Sequence, residues 1–238
     1  MTYTVTDSVV EGSAPVAHLH LDDGKANALN AGLVDALEGA VEQSGVDGAG
    51  ALVIRGRPGC FSGGIDLAVL KREDVGSRVD ELTRIARGLL ALWIAPIPTV
   101  AAVTGHAIAG GAVLAMACDR RIVLDDPGFR LGVNETALGM VFPTWALVIS
   151  QSAIRPDRVT DTLLLGSIFA PGEAAATGIV ERAVAADEFE AAVATAATTA
   201  AALPTAAYAG TKRRLRGAEA ERAEAEIVRE MGSFRGPT

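Results

Sequence analysis

Thr99-Val100-Ala101-Ala102-Val103-Thr104-Gly105-His106-Ala107-Ile108-Ala109-Gly110-Gly111-Ala112 reads as a short strand, a turn of small residues and the start of a helix that continues to about Cys118. Thr99 to Val103 has no polar face, as in a strand covered on both sides. The Gly110-Gly111 pair lets the backbone bend tightly and leaves unpaired N–H groups at a helix start. The same order occurs upstream: residues 51–54 form a buried strand, and Cys60-Phe61-Ser62-Gly63-Gly64-Ile65-Asp66-Leu67 is a second small-residue turn leading into a helix. Residues 121–124 return as another short strand. Strand and helix alternate through this half of the chain, which predicts an α/β fold.

Working outward, residues 3–10 and 16–21 alternate as two strands of a hairpin about Gly12, Ser13 and Pro15. Asn30 is placed to cap a helix bearing Leu33, Val34, Leu37 and Val41, and Gly45, Gly48 and Gly50 end that region. Val79, Leu82, Ile85, Leu89 and Leu92 mark one face of a long helix that must stop before Pro96 and Pro98. The pattern changes near residue 145. Residues 145–153, 157–165, 173–177, 188–202 and 205–214 all favour helix, with one late strand over 179–184. The alanine-rich run 191–202 is low in complexity but strongly helix-prone, so it is expected to pack as a helix. No repeat at a solenoid period is present.

A chain of 238 residues that is 50% hydrophobic is long enough and apolar enough to bury a large core. With 21 Lys+Arg against 29 Asp+Glu, its net charge of −8 repels nucleic acid and anionic membrane surfaces. Cys60 and Cys118 lack the spacing and neighbouring His of a metal site, and are expected to be buried thiols of a reducing cytoplasm. No apolar run approaches the roughly 20 residues of a membrane span, and the start of the sequence carries no secretory pattern, so a cytoplasmic location is expected.

Three stretches concentrate the candidate chemistry. The 60–67 turn and the 104–112 turn each read either as a tight connection or as a cradle whose peptide N–H groups meet a ligand. As a pair they could aim two donors at one developing oxyanion. Neither has the spacing of a dinucleotide fingerprint or a phosphate loop, which disfavours NAD and ATP. The third is Asn134-Glu135-Thr136, one carboxylate in the mostly apolar run 129–140. Read alone, Glu135 is a favourable contact with a helix start or a solvated side chain. Beside the two cradles it becomes a desolvated proton shuttle with a raised pKa. His18 and His20 read as structural, as does His106, and Asp66 and Asp119 as turn braces.

Asp23-Gly24-Lys25-Ala26-Asn27-Ala28-Leu29, the 61–67 segment, the run from Pro98 through Gly111 to Cys118-Asp119, and the 134–139 segment occur in an order and spacing that resemble the enoyl-CoA hydratase/isomerase family, the crotonase superfamily. The resemblance covers nearly the whole chain. It implies a spiral of β-β-α units over residues 1–185 that holds an acyl-CoA site, and a helical region over 186–238 that packs between subunits of a homotrimer or a dimer of trimers. It also implies an acyl-CoA thioester of fatty-acid metabolism as ligand, with coenzyme A entering only as part of the substrate and no metal or other cofactor.

Carried over residue by residue, the resemblance puts an oxyanion hole on the backbone N–H groups of Ile65 and Gly110, with Gly64 and Gly111 permitting the turns. Asn27, Ala28, Gly63 and Gly64 look like the parts that hold the coenzyme A moiety through backbone contacts, with Lys25 and Lys71 as weaker phosphate candidates. The chain departs from the hydratase pattern in one respect. Glu135 matches the second of two glutamates, but Val113 stands where the first would be. Adding water needs two such groups, whereas moving a double bond needs one base. The segment that includes Phe142, Pro143 and Trp145 is also similar to 3,2-enoyl-CoA isomerases. The expectation is therefore a Δ3,Δ2-enoyl-CoA isomerase, with an enoyl-CoA hydratase and a non-catalytic acyl-CoA binding or carrier protein as alternatives.

Overall fold

The computed structural model describes residues 1–6 and 14–233. The 7–10 end of the first expected strand, and Gly12 and Ser13 of the hairpin turn, lie outside these. Strands β1 (Thr2–Thr6) and β2 (Val16–Leu21) do pair antiparallel. Helix α1 (Ala31–Val46) starts where expected, the Asn30 side chain accepting from the Leu33 N–H at 3.1 Å. Three β-β-α units follow. The first is β3 (Ala51–Gly56), β4 (Gly59–Ser62), α2 (Leu67–Leu70) and α3 (Val75–Trp93). The second is β5 (Thr99–Val103), β6 (Gly105–Ile108) and α4 (Gly110–Ala117). The third is β7 (Arg120–Leu124), β8 (Leu131–Gly132) and α5 (Thr144–Ala153).

The first strand of each unit enters a six-stranded sheet ordered β1-β2-β3-β5-β7-β9, parallel except for β1 and closed by β9 (Arg182–Val184). The second strand enters a separate three-stranded parallel sheet, β4-β6-β8. The chain switches sheets within a few residues. At the switch the backbones almost touch: a Cβ on Gly105 would lie 1.9 Å from the Gly59 carbonyl carbon. The sequence predicts turns where β4 and β6 stand and no element where β8 stands. They are strands of 4, 4 and 2 residues, too short and too rich in small residues to show a period.

Side chains alternate across the larger sheet. Leu52, Ile54, Ala101 and Val103 face the main core with α1, α3 and α4, while Ala51, Val53, Val100 and Ala102 face α7 (Ala186–Ala201). The alanine-rich run thus lies on the sheet's second face, where small side chains allow close approach. Residues 157–165, expected as one helix, form a 3-10 turn at Pro156–Arg158 and a π-helical turn at Thr160–Leu164. After α6 (Pro171–Thr177) and α7, helix α8 runs over Thr205–Ser233, well past the expected 214. Its stripe of Lys212, Arg216, Ala220, Ala223, Ile227 and Met231 packs along α3 and α5. Leu215 and Val228 on other faces are exposed.

Candidate active site

The site lies at the carboxyl ends of the three short parallel strands, where loops leaving neighbouring strands converge. β6 is central. Its pairing with β4 sets Gly63, Gly64 and Ile65 beside Ala109 and Gly110, and its pairing with β8 sets Asn134 and Glu135 on the other side. β4 carries a bulge at Phe61, between Cys60 opposite His106 and Ser62 opposite Ala107, a device that re-aims the following residues. The two cradles meet: a Cβ on Gly64, whose φ is +92°, would sit 3.0 Å from the Ala109 Cβ and 3.2 Å from the Gly110 nitrogen.

Neighbouring peptide groups are tied down around the two proposed donors. The Leu29 N–H donates to the Gly64 carbonyl at 2.8 Å and the Asp66 N–H to the Leu29 carbonyl at 3.0 Å. The Ala109 N–H donates to the Gly132 carbonyl at 2.8 Å, fixing Ala109 in a left-handed conformation, φ +53°, that costs a non-glycine residue roughly 1–3 kcal/mol. Among the described residues, no backbone acceptor takes the N–H of Ile65 or of Gly110, the latter being the first residue of α4. Two anchored turns therefore each leave one peptide N–H without a backbone acceptor among the described residues, and both residues line the same cleft.

The Asn27 side chain has a structural part. It is buried and fully engaged: Oδ1 accepts from the Asp23 N–H at 3.0 Å, and Nδ2 donates to the carbonyls of Leu21 at 2.8 Å and Phe61 at 3.1 Å. The Asn27 carbonyl accepts from Ser62 Oγ at 2.7 Å. Asn27, at φ +48°, is thus a strut between the 22–28 loop and β4. Asp23 completes that loop by accepting from the N–H groups of Lys25, Asn27 and Ala28. The Lys25 side chain is exposed and its carbonyl is gripped by the Arg57 guanidinium. The Gly63 N–H donates to the Ala26 carbonyl at 2.8 Å, which ties the loop to the first cradle. A Cβ on Gly111 would lie 2.1 Å from the Ser62 carbonyl oxygen, which locks α4 against the same turn.

Between the cradles and α3, α5 and α8 lies an apolar cleft of about 850 Å³, its open mouth included. Glu135 is the only titratable side chain among the described residues lining it. Burial pushes its carboxyl pKa up to about 7, against smaller lowering contributions from backbone N–H groups at Glu135 and Asn134. Its Oε2 and the Asn134 Oδ1 are buried without a hydrogen-bond partner. Val113, fully buried on α4, lines the same cleft. His106 does not: it is exposed, its Nδ1 accepts from the Arg130 N–H at 3.1 Å, and its ring meets Phe129 edge-on. Asp66 caps α2 by accepting from the Ala68 N–H.

Asp119 is the centre of a buried ion cluster that the sequence reading had reduced to a turn brace. Oδ2 accepts from the Thr99 N–H at 2.9 Å and from Lys212 Nζ at 2.7 Å, and Oδ1 from Arg216 Nη1 at 2.8 Å. Burial alone would raise its pKa, but Lys212 and the surrounding donors hold it below the usual carboxylate range. This cluster bolts α8 to the strand that leads into the second cradle. Both cysteines are buried and unpaired, as expected. Among the described residues no three His, Cys, Asp or Glu side chains gather as a metal site, and no helix is long and apolar enough to cross a membrane.

The chain matches the family model for enoyl-CoA hydratase/isomerase over residues 11–235. A putative enoyl-CoA hydratase of Thermus thermophilus is 36% identical over 180 residues, covering 73% of this chain and 69% of that protein. Human mitochondrial enoyl-CoA delta isomerase 1 is 31% identical over 173 residues, covering 73% of this chain. The aligned part spans 57–62% of the length of the mammalian isomerases. The crystal structure of human mitochondrial delta3-delta2-enoyl-CoA isomerase superposes with a TM-score of 0.85 at 27% identity, covering 96% of this chain and 90% of that one.

Proposed function

The chain belongs to the enoyl-CoA hydratase/isomerase family and has the crotonase fold, and from its cleft we propose that it is a Δ3,Δ2-enoyl-CoA isomerase. The observation that carries this reading is the single carboxylate: Glu135 lines the cleft with Val113, and no second acid or histidine does so among the described residues. Ionised Glu135 takes a proton from C2 of a 3-enoyl thioester. The electron pair moves onto the thioester oxygen, which the Ile65 and Gly110 N–H groups receive, and the neutral carboxyl of Glu135 returns the proton at C4 as the double bond shifts. The sum is an isomerisation with no net oxidation, so no redox group is needed to balance it, and coenzyme A serves only as part of the substrate. A pKa near 7 suits a group that must act first as base and then as acid. Hydration would need a second group to hold water, and His106 is turned to Arg130 instead.

The cradle glycines and the 22–28 loop are the proposed seat of the coenzyme A moiety, and the exposed sides of α8 the proposed contact within a trimer. Two buried free thiols support a reducing compartment, taken here as the cytoplasm. The test is a panel of 3-enoyl-CoA, 2-enoyl-CoA and saturated acyl-CoA thioesters assayed for double-bond migration, hydration and binding. Migration should dominate. Hydration at a comparable rate would replace this reading with a hydratase, and tight binding without turnover would replace it with a carrier.

A further inference from the structure

Resting on the acyl-CoA reading, we propose that Met231, on the last turns of α8, is the specificity-determining residue that closes the far end of the acyl cleft and sets the longest chain accepted. The cleft runs from an open end to a closed one. Leu67 and Leu138, which line it next to the cradles and Glu135, are 58% and 41% exposed. Leu82 of α3, Trp145 of α5 and Met231 of α8 line it too, and are 2%, 3% and 3% exposed. These three belong to helices that pack on one another and form the covered part of the cleft's lining. An acyl chain whose thioester sits at the cradles therefore extends toward the helices, and its methyl end meets them.

Met231 is the closing residue that does not come from the β-β-α units. It is held in register from two sides. At the near end of α8, Lys212 and Arg216 reach Asp119. One residue before Met231, Glu230 accepts from the Thr144 N–H at 2.8 Å and its Oγ at 2.5 Å, pinning the helix to the start of α5. Glu230 is a positioning residue, since it acts through Met231.

The experiment is calorimetric binding of straight-chain saturated acyl-CoAs, from butanoyl to hexadecanoyl, which cannot react. Affinity should climb about fourfold per added methylene and stop climbing once the chain reaches Met231. Met231→Ala removes three heavy atoms and should move that break about two carbons longer, about a 15-fold gain in affinity for the chain just beyond the wild-type limit. Met231→Trp should move it shorter, Met231→Leu should keep it, and Glu230→Gln should blur it while butanoyl-CoA affinity holds. An unchanged break in folded Met231→Ala and Met231→Trp proteins would overturn the proposal and leave the acyl-CoA reading standing. If the wild-type protein bound no acyl-CoA at any length, both would fall.

Discussion

Replacing Glu135 by Gln should make the protein slower and more stable at once, by amounts that the burial of one carboxyl sets. Its pKa rises from an ordinary 4.5 to about 7, a difference of about 2.5 units or about 3 kcal/mol at 1.36 kcal/mol per unit. Because the native pKa is the higher one, the folded protein holds a proton that the unfolded chain releases. The stabilisation from the protonated form is full below about pH 4.5 and is lost as pH rises through 7. Gln resembles the protonated acid in shape and charge, so it keeps that stabilisation at every pH. Urea unfolding followed by the fluorescence of Trp93 and Trp145 should show Glu135→Gln more stable by about 3 kcal/mol at pH 8.5, with about 2 kcal/mol of the gap gone by pH 5.5. Isomerisation should fall by roughly 10² to 10⁴-fold while acyl-CoA affinity holds. A stability difference that does not change with pH, or a variant weaker than wild type at pH 8.5, would falsify the assignment of Glu135 as a desolvated base.

The wild-type pH–rate profile should rise about tenfold per unit below pH 7 and level off above it, as kcat/KM follows the ionised fraction of Glu135; a midpoint near 4.5 would mean that water reaches the carboxyl freely. Gly64→Ala and Gly24→Ala both force a side chain onto positive φ, +92° and +72°, but only the first meets the second cradle, Gly24 having open space. Gly24→Ala should cost about 1 kcal/mol in thermal or urea unfolding and Gly64→Ala more, and only Gly64→Ala should abolish turnover, so equal activities would detach the Gly64 turn from the chemistry. Asp119→Ala strands Lys212 and Arg216 and should destabilise by about 3–5 kcal/mol in urea; a loss below about 1 kcal/mol would mean that the cluster is solvated.

The α/β class was legible because long elements show their period. The α3 stripe from Val79 to Leu92 and the covered strands β3 and β5 are written in unbroken runs, and the Asn30 cap precedes another such run. The β4, β6 and β8 strands were not, since Gly, Ser and His over two to four positions carry no alternation. Their sheet is nevertheless what gathers the site. The resemblance named Ile65, Gly110 and Glu135 without that sheet, and the fold brings the three stretches together at its strand ends. The neighbourhood of Asn27 was recognised, but only the hydrogen bonds to Leu21, Phe61 and Ser62 disclose that it is also a strut. Contacts across great separation left no local trace. Asp119 meets Lys212 and Arg216 at distances of 93 and 97 residues along the chain, and Met231 reaches the cleft from a stretch whose arginines and glutamates read as ordinary polar helix.

The free donors at Ile65 and Gly110 belong to the main chain, and main-chain groups are indifferent to the genetic code apart from proline. Drift at most positions in the two turns can alter their shape but cannot delete the hydrogens. The acidic side chain and the lining around it are, by contrast, single-codon choices: Val113 is one such position and Glu135 another. A protein built this way separates what is hard to invent, two turns with unpaired main-chain donors side by side, from what is easy to exchange. If the two turns receive a thioester oxygen as proposed, a change of one or two lining side chains would alter the reaction while leaving that receptor in place.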